Sequence, residues 1–227
     1  GGTNAGDSFT GTDATNNTLF GYNAGTALTT GDKNVAIGSE ALKANTANSL
    51  TAVGYNALKS NTSGTDNIAV GAFAAQNNTT GTRNVIIGNS ALSSGTTAAY
   101  CVGIGSDTLQ NITTTGYQTA VGAFALRDCE SGYGNTAVGY SAGIAITTGG
   151  YNTAVGYHAL KTNTTAASNV AVGYQALENN TTGTRNVVIG RQAGQTQTTG
   201  GDNVFVGYYA GKANTTAENC VAVGANA

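Results

Sequence analysis

The chain has 227 residues, of which 9% are charged, with a formal net charge of -2, far from the roughly 25% charged residues of an average soluble domain. That balance provides no basic face for nucleic acid, and no apolar run approaches the ~18 residues of a membrane span, so no membrane insertion is expected. With 34 glycines and no proline, methionine or tryptophan, the composition resembles a β-fibre more than a cytosolic enzyme, and the missing initiator methionine points to a processed or excised piece.

Residues 1–16 read as a degenerate first coil, because Gly2-Thr3-Asn4-Ala5-Gly6 echoes Gly21-Tyr22-Asn23-Ala24-Gly25 at a spacing of 19. From 17 to 227 a regular array follows, anchored on Gly21, Gly38, Gly54, Gly71, Gly88, Gly105, Gly122, Gly139, Gly156, Gly173, Gly190, Gly207 and Gly224. The steps are 17 residues, except one of 16 between Gly38 and Gly54. A strict period of this size predicts an all-β solenoid, a parallel β-roll whose coils stack on one another. Its clearest unit is Asn152-Thr153-Ala154-Val155-Gly156-Tyr157-His158-Ala159-Leu160. At a strand spacing of ~4.8 Å, thirteen such coils would make a rod of ~60 Å. The array stops at Ala225-Asn226-Ala227 without a polar cap, so it is expected to continue beyond the given ends or to be covered there by another molecule.

Within the predicted strand, the position three residues before the anchor is always β-branched, from Thr18 and Val35 through Thr119, Thr136 and Thr153 to Val221. The position directly before the anchor runs from Phe20 and Ile37 through Val121, Val138 and Val155 to Val223. Side chains alternate along a strand, so these two columns share a face, and their apolar character predicts that this face is the core. The column between them is small: Ala36, Ala52, Ala69, Gly103, Ala120, Ala137, Ala154, Ala171 and Ala222, interrupted by Ile86, Val188 and Phe205. On this reading it faces outward, where a column of small apolar residues predicts the close approach of another chain.

The anchor glycine calls for positive φ or a contact too tight for a Cβ. A tyrosine often follows it, as at Tyr22, Tyr55, Tyr140, Tyr157, Tyr174 and Tyr208. Three residues after the glycine comes an alanine, then often a leucine such as Leu42, Leu58, Leu92, Leu109, Leu126, Leu160 or Leu177, and this pair predicts a second short inward-facing strand. Asn78-Thr79-Thr80-Gly81 and Asn180-Thr181-Thr182-Gly183 carry turn chemistry, and the 16-residue step falls in this turn near Asn48-Ser49, where loops accept deletions. Most strands begin with Asn, including Asn34, Asn84, Asn152 and Asn186, and stacked amides predict a hydrogen-bonded ladder. Cys101 and Cys220 share that column. Coils that far apart exclude a bond between them within one chain, and the three cysteines, Cys129 included, read as thiols, Cys101 and Cys220 standing in for a ladder Asn.

The block Asn34-Val35-Ala36-Ile37-Gly38 and its relatives resemble the head repeats of trimeric autotransporter adhesins. The longer unit, with Asn-Thr-Thr-Gly in its turn, is similar to arrays of phage tail-fibre proteins. This resemblance covers 17–227, though the coil is longer than the adhesin unit. It implies a homotrimeric β-roll, exposed on a virion or cell surface.

Catalysis is not expected. The lone histidine, His158, lies in a variable column with Asn23, Glu40, Phe73, Ser141 and Gln175, and the carboxylates form no pair recurring at acid/base or metal-ligand spacing. No calcium-type nonapeptide or phosphate loop occurs, so no metal and no cofactor is expected. Asn-x-Thr triplets such as Asn163-Thr164-Thr165 and Asn214-Thr215-Thr216 read as turns rather than glycan acceptors.

The expected function is that of a structural or adhesive fibre segment, extracellular, whose partners are copies of itself, as a homotrimer or filament, and a surface glycan contacted by Phe73, Phe124 and Tyr209. The alternative is a subunit of a self-assembling extracellular filament. An ice-binding solenoid is less favoured, because no two-column threonine array is present on the strand.

Overall fold

The computed structural model describes residues 2–7 and 14–227; the middle of the expected first coil lies outside the described residues. The fold is a parallel β-solenoid in two compact units, Gly1–Gly116 and Tyr117–Ala227. In the first unit each coil supplies one three-residue strand: β1 (Thr18–Phe20), β2 (Val35–Ile37), β3 (Thr51–Val53), β4 (Ile68–Val70), β5 (Val85–Ile87) and β6 (Val102–Ile104). The second unit contains β7 (Thr119–Val121), β8 (Thr136–Val138), β9 (Thr153–Val155), β10 (Val170–Val172), β11 (Val187–Ile189), β12 (Val204–Val206) and β13 (Val221–Val223). Within each unit successive strands pair in parallel, so that like columns stack: Ala36 on Ala52 in the first, Ala154 on Ala171 in the second.

The anchor glycine meets both conditions set for it. At Gly156 φ is +133°, and a Cβ would lie 2.4 Å from the Gly173 carbonyl oxygen of the next coil. Only glycine adopts that conformation at that separation without strain.

The Ala-Leu pair is not a second strand. His158 and Leu160 lie at φ 57° and 50°, left-handed values that curl the chain where a strand needs extended backbone. Such values cost an L-residue roughly 1 kcal/mol or more and persist here because inter-coil bonds fix them. The His158 N–H donates to the Tyr140 carbonyl at 3.1 Å and the Leu160 N–H to that of Ala176 at 3.1 Å. Leu160 itself is fully buried.

The two faces of the strand are the reverse of the sequence expectation. The small middle column points inward: Ala36, Ala52, Ala69, Ala120, Ala137 and Ala171 are fully buried. The β-branched columns point outward, with Ile68 and Ile189 each 41% exposed. The physical reason is the width of the coil. The turn folds back across the strand and fills the interior with its own Ala and Leu, such as Ala159 and Leu160, leaving room for little more than a methyl between them. Where Leu19, Val188 and Phe205 enlarge the strand residue, the turn residue six positions on is glycine; at Ile86 the turn keeps Leu92, and the space comes from Gly103 of the next coil, where a Cβ would lie 3.3 Å from Ile86 Cδ1. A Cβ on Gly211 would meet the Phe205 ring at 2.5 Å, and one on Gly25 would meet Leu19 Cδ2 at 2.9 Å.

The asparagine ladder forms and is buried. Asn152 Oδ1 accepts the Asn169 N–H at 3.0 Å, while its Nδ2 donates to Asn135 Oδ1 at 3.1 Å and to the Ala166 carbonyl at 2.9 Å. One side chain thus ties its own coil to both neighbours and spans the interior, satisfying polar groups that water cannot reach. Asn34, Asn84 and Asn186 are likewise buried and bonded. Cys101 and Cys220 occupy ladder places as thiols, their N–H groups donating to Asn84 and Asn203. Asn163 and Asn180 are buried turn asparagines bonded to their own loops.

The short step is absorbed in the turn. The Asn180 side chain caps the N–H of Gly183, three residues on, whereas Asn45 caps that of Ala47, only two residues on. The lost residue therefore lies between Asn45 and Ala47, slightly earlier than the Asn48-Ser49 expectation, and the pairing of Val35 with Thr51 keeps its register.

Candidate functional surface

With the interior taken up by repeated packing, chemistry that differs from coil to coil lies outside. Three strips can be followed within the units. The first is the outward strand face, Thr119, Thr136 and Thr153 beside Val121, Val138 and Val155 in β7 to β9, all half-buried or exposed. In-register pairing holds each of these columns in line. Between Glu130 and Glu178 the chain has a single lysine or arginine, Lys161, and no carboxylate.

The second strip begins one residue after the anchor. Tyr140, Tyr157 and Tyr174 stack in succession, ring centroids 5.5 and 5.4 Å apart and planes 12° and 8° from parallel. They are 47%, 43% and 45% exposed. Arg191 continues the strip, its guanidinium carbon 5.6 Å from the Tyr174 ring centre and 5.7 Å from that of Tyr208.

The aromatics expected to touch a receptor lie one position further on and are half-buried. Phe73 meets Tyr55 edge-on at 5.2 Å and Phe124 meets Tyr140 edge-on at 5.7 Å. Tyr209 lies 4.0 Å from Tyr208, with Lys212 Nζ 3.9 Å from its ring centre. Each therefore lies against a tyrosine that follows an anchor glycine, Phe73 in the first unit, Phe124 and Tyr209 in the second. The structure brings no two of the three together in one patch within a unit except through the tyrosine strip. The tyrosine column is legible in the sequence but not as a surface, since stacking shows only once the coils are aligned in space.

The third strip is polar and variable. In the first unit Glu40 bridges Lys43 at 3.0 Å and Lys59 at 2.6 Å, and those bonds, Lys59 first, hold its carboxyl below the usual range. In the second unit Glu178 accepts Nε2–H donation from Gln175 at 3.1 Å and Gln195 at 2.9 Å, with His158 Nδ1 at 3.5 Å. Burial lowers the His158 pKa, and Lys161 adds to this, against the opposing pull of Glu178. Its imidazole lies against the Tyr157 ring, centroids 3.8 Å apart. Among the described residues no three of His, Cys, Asp and Glu gather as metal ligands, and no helix is long and apolar enough to cross a membrane. No family model, curated protein or solved structure matches the chain.

Proposed function

We propose that the chain is a segment of an extracellular structural or adhesive fibre, non-enzymatic, in which copies associate through the outward strand face. The observation that carries this reading is the pair of outward β-branched columns in each unit, with Ile37 and Ile68 in the first and Val138 and Ile189 in the second left 37–41% exposed on strands paired in register. Sheet faces of that composition ordinarily pack on something, and a copy of the chain brings columns of the same period. Three copies around an axis, as the adhesin resemblance implies, would bury the face on every chain. The small middle column, buried inside the coil, plays no part in this association. A surface glycan would be reached by Phe73, Phe124 and Tyr209, which lie on a different strip from the sheet face.

The test is native mass by light scattering, with electron micrographs of the same sample. A discrete trimer supports the proposal and a stable monomer overturns it. Indefinite filaments would instead support the alternative, a self-assembling filament subunit. Ice binding stays less favoured, since Val121, Val138 and Val155 accompany the outward threonines where a second threonine column would be needed; absence of thermal hysteresis checks that. Replacing Phe73, Phe124 and Tyr209 together by alanine should abolish glycan binding, and unchanged binding would remove them from the site.

A further inference from the structure

The stacked tyrosines are a repeated polar aromatic group on the surface of the second unit, 43–47% exposed, that packing of the coil does not require. Their spacing is imposed by the main chain, because the His158 and Gln175 N–H groups of the following coils donate to the Tyr140 and Tyr157 carbonyls at 3.1 and 2.8 Å. The ring faces are turned toward one another, so a sugar would find only edges in the middle of the strip. What closely stacked, solvent-reaching phenols can do is share and then combine unpaired electrons.

We propose that Tyr140, Tyr157 and Tyr174 form an oxidative cross-linking site, at which a peroxide acting through a haem peroxidase joins the tyrosines of consecutive coils as dityrosine. Each of two neighbouring phenols gives up one electron and its hydroxyl proton. The resulting phenoxyl radicals pair at ring carbons ortho to oxygen, a carbon–carbon bond forms, and the two ortho hydrogens return to the oxygens as protons to restore both phenols. Hydrogen peroxide takes the two electrons and two protons, its O–O bond breaks, and two waters leave. The product is a covalent staple across coils that hydrogen bonds already hold in register. Two further tyrosine groups of this unit are differently arranged: Tyr117, Tyr133 and Tyr151 have centroids 5.2 and 5.8 Å apart but planes inclined by 45° and 59°, and Tyr208 and Tyr209, adjacent in one coil, have centroids 4.0 Å apart and planes 48° from parallel.

The experiment treats the dilute native protein with hydrogen peroxide and a haem peroxidase, then reads dityrosine fluorescence, intact mass and the cross-linked peptides. The expected result is a single-chain product lighter by two hydrogens, linked from Tyr157 to Tyr140 or Tyr174, in a yield that does not change with protein concentration. Tyr157→Phe keeps the ring and removes the hydroxyl shared by both couplings, so most of the product is lost, while Tyr151→Phe leaves it in place. Matching thermal unfolding of both variants and the parent establishes that the loss is chemical. The proposal is overturned by absence of dityrosine, by links mapping chiefly to the Tyr117 group or to Tyr208 and Tyr209, or evenly over all tyrosines, by products only between chains, or by a yield that survives Tyr157→Phe.

Discussion

At Gly156 two separate penalties fall on any side chain: a φ of +133° and a Cβ 2.4 Å from a neighbouring carbonyl oxygen. Gly156→Ala is therefore expected to destabilise its unit by at least ~2–3 kcal/mol, more than a surface substitution ever does, and urea unfolding measures it. His158 gives a different signature. Its folded pKa is depressed, by burial foremost, so between the folded value and ~6.5 the unfolded chain binds the proton more readily. Stability is full above ~6.5 and is lost as pH falls through that window toward the folded pKa. His158→Gln, the residue type one and two coils further on at Gln175 and Gln192, should flatten the fall between pH 8 and pH 5. A parallel pH dependence in parent and variant would assign the effect elsewhere.

The coil as an element is held by volume matching between strand and turn. Phe205 stands opposite Gly211 where Ala154 stands opposite Leu160, and both arrangements fill the same space. Phe205→Ala alone should cost ~3–5 kcal/mol. Adding Gly211→Leu restores the ordinary pair at a left-handed position that leucine already occupies at φ 50° in Leu160, and most of the loss should return; a double-mutant cycle reads the coupling. The same matching was in the sequence: Leu19 with Gly25, Val188 with Gly194 and Phe205 with Gly211 trade size across six residues. It identifies the middle column as inward, whereas average hydrophobicity, which favours valine over alanine, pointed the other way. Period, anchor glycine, ladder and turns were legible because each repeats an unambiguous residue. The second strand was misread because a buried leucine looks alike in a strand and in a left-handed turn. The tyrosine strip needed spatial alignment, since residues 17 apart carry no local pattern.

For the whole molecule the outward columns are where association can be separated from folding. Val138→Lys with Val155→Lys places two charges on the exposed strand face without touching the buried column, so unfolding should shift by less than ~1 kcal/mol, while trimer or filament is lost in light scattering. Loss of folding as well would mean that these valines serve the coil itself. The ladder adds a further property. Because each asparagine bonds backward and forward by the same rule and Ala171, which leaves with the block, is matched by Ala154, which stays, excising 157–173 as a block joins Gly156 to Tyr174 and leaves every column continuous. The folded chain should accept that deletion and refuse one of eight or nine residues, so lengths available to such a sequence come in whole coils, and recombination between repeats lengthens or shortens it without a new fold having to be found.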